Sequence, residues 1–196
     1  MFHIVLHEPE IASNTGNIGR TCVATGSALD LIEPLGFLLN DKMLKRAGMD
    51  YWQELDVHRW MNYQEWYEDA YLPAVQAAAS AAGSPEAGSG PAAAVTGRRA
   101  PRVFYATTKA HQLYTEVHFQ DGDYLMFGKE SAGIPEEILI DHEEDCIRIP
   151  MFGETRSLNL ANSVAVVLYE ALRQQNFENL KKYGELHRLQ WKEKTE

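Results

Sequence analysis

A single-domain α/β fold with a mostly parallel sheet is predicted by three observations. The chain has 196 residues, enough for one buried core that needs no disulfide or metal to hold it. Hydrophobic residues make up 45% of it, charged residues 23% and aromatic residues 10%, the make-up of an ordinary soluble domain. Short apolar, strand-like runs alternate with helical stretches, and strand–helix alternation means a parallel sheet covered on both faces.

Phe2–His7 is apolar and β-branched and reads as the first strand. It leads through Glu8–Ser13 into Asn14-Thr15-Gly16-Asn17-Ile18-Gly19-Arg20, where helical character begins and runs to Gly26, a C-terminal stop. Leu29–Glu33 is a second strand, Asp41–Ala47 a short helix closed by Gly48, and Asp56–Trp60 a weak third strand. Tyr63–Tyr71 is helical and rich in aromatics. The alternation resumes with Val103–Thr107, Tyr124–Phe127, a helix start at Pro135–Leu139, Cys146–Ile149, and a long helix from Ser157 to about Gln175.

Between the two halves, Pro73 to Pro101 is nearly all Ala, Gly, Ser and Pro. Such a stretch buries too little surface to offset chain ordering, so it reads as a disordered, low-complexity insertion within one domain. Gly83, Pro85, Gly88, Gly90 and Pro91 would stop any turn started by its alanines. Deletion of Ala74–Ala100 is accordingly expected to leave folding nearly unchanged. After Gln175, the tail to Glu196 carries Phe177, Leu180, Tyr183, Leu186, Leu189 and Trp191 at roughly helical spacing, which predicts an amphipathic C-terminal helix.

The 18 basic against 28 acidic residues give a formal charge of −10, which taken alone argues against a protein that tracks nucleic-acid phosphates. Local basic patches are Lys42, Lys45 and Arg46, and Arg98, Arg99 and Arg102. No stretch approaches the roughly 18 uninterrupted apolar residues of a membrane-spanning helix. The first residues read as a strand without a charged leader, so a cytoplasmic protein with no membrane partner is expected. Cys22 and Cys146 are too far apart in sequence for a C-x-x-C pair, which fits a reducing compartment.

Several chemistries are excluded by pattern. There is no H-E-x-x-H, paired C-x-x-C or EF-hand loop, so no metal site is expected, and His3 and His7 on one strand face read as structural. Gly128-Lys129 lacks the upstream glycine and following Ser or Thr of a phosphate-binding P-loop. Gly16 and Gly19 supply only two glycines of the dinucleotide pattern. Lys129 stands where the first glycine of a nucleophile elbow must be. The carboxylates of 141–145 have nothing apolar beside them to shift their titration and read as a solvated loop.

Three Gly- or Ser-rich connections remain, each just beyond a predicted strand, where parallel α/β sheets bind ligands. The first, Asn14–Arg20, sets amide side chains and one guanidinium at a helix start. The second, Gly128–Pro135, has two glycines for close backbone approach and Glu130 as an acceptor. The third, Ile149–Leu160, is an irregular loop that ends at an N-capped helix. Each alone is also what a tight turn looks like.

In this order and spacing the loops resemble the three signature motifs of the SPOUT superfamily of methyltransferases, in its ribose 2′-O-methyltransferase branch. The nearest likeness is to the tRNA (cytidine/uridine wobble-position) 2′-O-methyltransferase family known as TrmL or YibK. It is carried by I-V-L-x-E-P-E-I-x-x-N-T-G-N-I-x-R, by Ile32-Glu33-Pro34-Leu35-Gly36-Phe37, by Arg46-Ala47-Gly48-x-Asp50-Tyr51, by Gln120–Gly128 and by Arg148-Ile149-Pro150-Met151. The likeness covers residues 1–72 and 103–175 and leaves out the insertion and the tail.

The resemblance implies a deep trefoil knot in the C-terminal part, against the general avoidance of knots. It implies S-adenosylmethionine as cofactor, leaving as S-adenosylhomocysteine, with Ala106, Thr107, Gly128, Ile149, Ser157 and Leu158 as its contacts. It implies tRNA as substrate and a homodimer. By motif position Arg20 acts at the target hydroxyl or its neighbouring phosphate, either as a base or by polarisation. Asn14 is expected to orient Arg20 or the substrate, Glu130 to pair with Arg20, and Ser157 with Asn159 to fix the third loop. Arg156, Tyr169, Lys45 and Arg46 are candidates for RNA contact, Arg156 and Tyr169 also for the subunit interface. Two other functions stay open: the same chemistry on another RNA such as ribosomal RNA, and a knotted protein that binds S-adenosylmethionine or RNA without turnover.

Overall fold

The computed structural model describes residues 1–39, 50–82, 99–153 and 157–191. Its strands are β1 (His3–His7), β2 (Ala28–Ile32), β3 (Val57–Trp60), β4 (Val103–Ala106), β5 (Tyr124–Phe127) and β6 (Cys146–Ile147). They form one sheet in the order β3-β2-β1-β5-β4-β6, and every neighbouring pair is parallel. β6 is shorter than the run Cys146–Ile149 suggests; Arg148 makes only an isolated bridge to Leu113.

Burial on both faces explains why the strands read as apolar runs without clean alternation. On one face Ile4, Leu6, Leu29, Leu31, Phe104, Leu125 and Phe127 join a core with α1 (Ala12–Thr25). Val5, Ile32, Val103, Tyr105, Tyr124 and Met126 point the other way, into a second core around Trp66. Each fully buried aliphatic or aromatic side chain contributes about 1.5–3 kcal/mol, so two filled faces hold the sheet without any cross-link.

Gly26 ends α1 as its sequence position predicts: its φ of 64° is left-handed, and its N–H bonds back into the last turn of the helix. The next helical stretch starts at Asn62, whose side chain caps the N–H of Glu65 at 2.9 Å. It comprises α2 (Tyr63–Trp66), a π-helical segment Tyr67–Tyr71, and α3 (Leu72–Ala82). The expectation that the loop begins at Pro73 is therefore corrected for residues 73–82. The aromatic turns upstream are already helical, so the alanines extend an existing helix without a nucleation cost. Ala74 also packs on the second core. The remaining insertion residues up to 98, and the predicted helix Asp41–Ala47, lie outside the described residues.

At the far end of the insertion, Arg99 donates to buried Asp123 at 2.8 and 2.6 Å and to the His118 carbonyl at 3.0 Å. Arg102 donates through Nε to Asp145 at 2.8 Å. Both arginines precede β4 at the N-terminal edge of the sheet. Removing Ala74–Ala100 would take away most of α3 and this ion pair, so the expectation that folding tolerates that deletion is withdrawn.

After the short α4 (Glu136–Leu139), α5 (Leu160–Gln174) returns over the first core, with Leu160, Val164, Val167, Leu168, Ala171 and Leu172 buried. It starts three residues later than the predicted Ser157, because Asn159 is its cap. The predicted C-terminal helix is not formed among the described residues of the tail. Asn176, Phe177 and Asn179 have φ of 54°, 51° and 64°, left-handed values that break the helix directly after α5. Phe177 and Leu180 still reach the first core, while Tyr183, Leu189 and Trp191 are exposed. Among the described residues no helix is long and apolar enough to cross a membrane.

The strand order fixes where a ligand site can lie. From β1 the chain steps outward to β2 and β3, then returns to fill the other side of β1 with β5, β4 and β6. β1 and β5 are thus neighbours whose connections leave in opposite directions, and the crevice beyond their C-terminal ends is the place for a site in such a sheet.

Candidate active site

Two loops meet over that crevice. Glu8, at the end of β1, has a left-handed φ of 52° and is held by a bond from its N–H to the Ile32 carbonyl at 2.9 Å. Its carboxylate pairs with Lys129 at 2.7 Å, and this partner raises the Lys129 pKa. The backbone of Glu10 donates to Glu130 Oε2 at 2.8 Å. In return, the Ser131 N–H and hydroxyl donate to the Glu10 carboxylate at 2.9 and 2.8 Å and lower its pKa. Loop 128–135 closes on itself as well: a Cβ on Gly128 would stand 2.0 Å from the Gly133 carbonyl carbon, and Gly133 has φ +75°. Two glycines are required here, one for space and one for conformation. Gly36 serves loop 8–13 similarly, since a Cβ there would meet Glu10 Cα at 2.6 Å.

The third loop joins through amides. Asn14 Nδ2 donates to Glu130 Oε1 at 2.8 Å, and Asn14 Oδ1 accepts from Asn159 Nδ2 at 3.0 Å. Asn159 Oδ1 in turn caps α5, taking the N–H groups of Ala161 and Asn162 at 3.0 and 3.3 Å. The polarity of this chain is forced from both ends: Glu130 can only accept, and so can the capping oxygen of Asn159. Asn14 is buried. Three predicted site residues from three loops are thus in contact.

Arg20 lies on the same helix as Asn14 but is exposed and is not paired with Glu130, as the resemblance suggested it would be. Its guanidinium stands 4.8 Å from the centre of the Tyr51 ring, and Tyr51 Oη donates to the Gly16 carbonyl at 2.5 Å. Asn14 therefore orients Glu130 and Asn159, with no bond to Arg20. Ser157 and Leu158 are exposed. Lys45, Arg46 and Arg156 lie outside the described residues. Tyr169 is exposed on α5 at 47%.

Of the residues assigned to the cofactor, Ala106, Thr107 and Gly128 sit at the C-terminal ends of β4 and β5, where Ala106 pairs with Phe127 and with Ile147 across the strands. The Thr107 N–H donates to the Ile147 carbonyl at 2.9 Å, and Ile149 follows two residues later, partly buried against the first core. Four of the six assigned residues therefore share one edge of the sheet, beside the Asn14–Glu130 contact. Among the described residues no group of three or more His, Cys, Asp or Glu side chains is placed to hold a metal ion.

Sequence reading missed Glu8, Glu10, Lys129, Ser131 and Tyr51 as parts of this site. All five stand in or beside the quoted motifs, yet the ion pair and the carboxylate clamp join residues 121 positions apart, and the partner of each is visible only once the strands are ordered.

Residues 1–89 and 89–169 match the model of the SpoU rRNA methylase family. The chain belongs to the SpoU methylase family. Within it, the chain is 45% identical over 176 residues to the tRNA (cytidine(34)-2′-O)-methyltransferase of Aeromonas hydrophila, covering 89% of this chain and 94% of that one. A solved structure described as giving structural insights into the 2-OH methylation of C/U34 on tRNA superposes with a TM-score of 0.70 at 39% identity, over 91% of this chain and 98% of that one. The SpoU methyltransferase AviRb from Streptomyces viridochromogenes, in complex with the cofactor AdoMet, shares the fold with a TM-score of 0.67 at 22% identity, over 89% of this SpoU chain and 60% of its own.

Proposed function

We propose that this protein is an S-adenosylmethionine-dependent tRNA (cytidine(34)-2′-O)-methyltransferase, acting on the ribose of the wobble cytidine or uridine. The observation that carries the reading is the chain Asn159–Asn14–Glu130, which gathers three loops at the switch point between β1 and β5. Relatives above 40% identity that bear this activity in their names support it.

S-adenosylmethionine, when bound, supplies a methyl group already activated by its sulfonium. Ala106, Thr107, Gly128, Ile149, Ser157 and Leu158 would hold it. They fit such a group: Ala106, Ile149 and Leu158 offer apolar surface, and strand-end backbone offers donors and acceptors for a heteroaromatic edge. The chain's remaining task is to place a poorly nucleophilic ribose hydroxyl and to ease loss of its proton. Arg20 does this as a cation, through the hydroxyl or the adjacent phosphate; the aromatic face against its guanidinium suits that form. Asn14, Glu130 and Asn159 hold the loops in register, and Ser157 lies at the start of the third loop's return to α5.

The same reading includes a trefoil knot formed by the segments around β4, β5 and β6, supported by the insertion of β5 between β1 and β4. It includes a homodimer using α1 and α5, supported by the exposed Val166 and Tyr169 on α5, with Tyr169 and Arg156 at the interface or on RNA and Lys45 and Arg46 on RNA. The cytoplasm, where such a tRNA is met, is the compartment of action.

The test is transfer of labelled methyl groups to transcript tRNAs and to ribosomal RNA, followed by mapping of the modified nucleotide. Methylation at position 34 of tRNA, falling on the order of 10²-fold or more in Arg20→Ala with cofactor binding retained, is expected. Cofactor binding with no methylated tRNA would overturn the reading, and product on ribosomal RNA alone would reassign the substrate.

A further inference from the structure

Tyr51 touches the turn of α1 that presents Arg20 in two ways. Its ring lies against the Arg20 guanidinium, 4.8 Å from centroid to Cζ, and its hydroxyl donates to the Gly16 carbonyl at 2.5 Å. In a regular helix the carbonyl of Gly16 is also the acceptor for the N–H of Arg20, four residues on. One side chain therefore engages both the head group of Arg20 and the backbone acceptor on which its own turn hangs.

The segment that carries Tyr51 is itself fitted to α1. Asp50–Glu54 forms a single 3₁₀ turn, and Trp52 and Leu55 from it and just beyond pack over Gly19. A Cβ on Gly19 would stand 3.0 Å from Trp52 Cζ3 and 3.1 Å from Leu55 Cδ2. Gly19, which with Gly16 earlier read as an incomplete nucleotide motif, thus makes room for this turn. Leu55 is buried in the first core, which ties the turn to the body of the domain.

The geometry points to Tyr51 as the positioning residue of Arg20: its ring holds the exposed guanidinium in one orientation, and its hydroxyl locks the turn to α1. The inference rests on the role proposed above for Arg20. An exposed arginine side chain has several freely rotating bonds, and restricting them before substrate arrives lowers the ordering cost of reaction. A ring face does this without neutralising the charge, as a carboxylate partner would.

The test compares Tyr51→Phe, which keeps the ring, with Tyr51→Leu, which removes it. For Tyr51→Leu, kcat for tRNA methylation is expected to fall roughly tenfold to a hundredfold, with KM for tRNA and cofactor affinity changed by less than about threefold. Tyr51→Phe should fall by only about threefold. The second measurement is independent of activity: the Arg20 Nε–H signal in the nitrogen–proton NMR spectrum, assigned by its loss in Arg20→Lys. It should be shifted upfield by the ring in wild type and in Tyr51→Phe, and should return to the ordinary arginine position in Tyr51→Leu. An unshifted Arg20 signal in wild type, an unaltered kcat in Tyr51→Leu, or equal losses in Tyr51→Phe and Tyr51→Leu would each overturn the inference. Should wild type prove inactive on tRNA, the function proposed above fails while the NMR comparison still decides the Tyr51 contact.

Discussion

Asn159 Nδ2 donates to Asn14 Oδ1 at 3.0 Å across 145 positions of sequence, and the same Asn14 gives its own amide to Glu130 at 2.8 Å. A single side chain thus reports on the arrangement of three loops. Replacing Asn14 with Asp puts a carboxylate against Glu130 in place of a donor. The variant is expected to lose about 1–3 kcal/mol of stability in urea unfolding, from the lost bond and the unfavourable pairing. Asn159→Ala should lose about 1 kcal/mol from the cap of α5 alone, with a further loss in methyl transfer because Asn14 is left with one partner fewer.

The two glycines of the second loop should fail differently. In Gly128→Ala the new Cβ meets backbone at 2.0 Å, which no side-chain rotation relieves. The loop must move, and S-adenosylmethionine affinity measured by calorimetry should fall by an order of magnitude or more. Gly133→Ala meets no atom within 4 Å but must hold φ +75°, a penalty of about 1–2 kcal/mol. Its affinity for cofactor should change less than that of Gly128→Ala.

Arg99→Ala is predicted to separate stability from catalysis. It leaves the fully buried Asp123 with backbone donors from Arg102 and Gln120 but without its counter-charge. The loss is about 2–4 kcal/mol, below the value for a sealed pair because Arg99 is itself 32% exposed. The pair sits at the N-terminal edge of the sheet, so kcat at a temperature where the variant is folded should match wild type.

His7 predicts how stability changes with pH. It is buried beside the Tyr63 ring, and burial is the largest cause that lowers its pKa from the usual 6.5; Glu8 opposes the shift and Lys129 adds to it. The native state therefore binds this proton less readily than the unfolded chain. Stability should be full above about pH 6.5 and decline as the pH falls below it. Glu10, Glu136 and Glu170 have pKa values lowered from 4.5 and add their own loss only at more acid pH. Urea midpoints between pH 8 and 5 should flatten in His7→Gln if this is the titrating group.

Local physics was legible along most of the chain. Strands β1, β2 and β5 fill both faces and therefore read as largely apolar runs, broken in β2 by the buried Asp30, and Gly26 stops α1 because only a left-handed residue closes that turn cheaply. The misread segments are those where context overrode composition. The alanines of 72–82 look unable to order themselves, yet they continue a helix that Asn62 caps and Trp66 anchors. The tail has helical spacing, but left-handed Asn176, Phe177 and Asn179 turn it away before that spacing can act.

Residue type and order carried the resemblance that implies this chemistry, since the amides, the glycine pair and the one arginine stand in the order and spacing of the family's three motifs. They could not say which atom meets which. Asn14 bonds Glu130 because β5 lies beside β1, a strand order set by long-range burial that leaves no trace in local periodicity, and Arg20 rests on Tyr51 because the turn Asp50–Glu54 packs over α1 at Gly19.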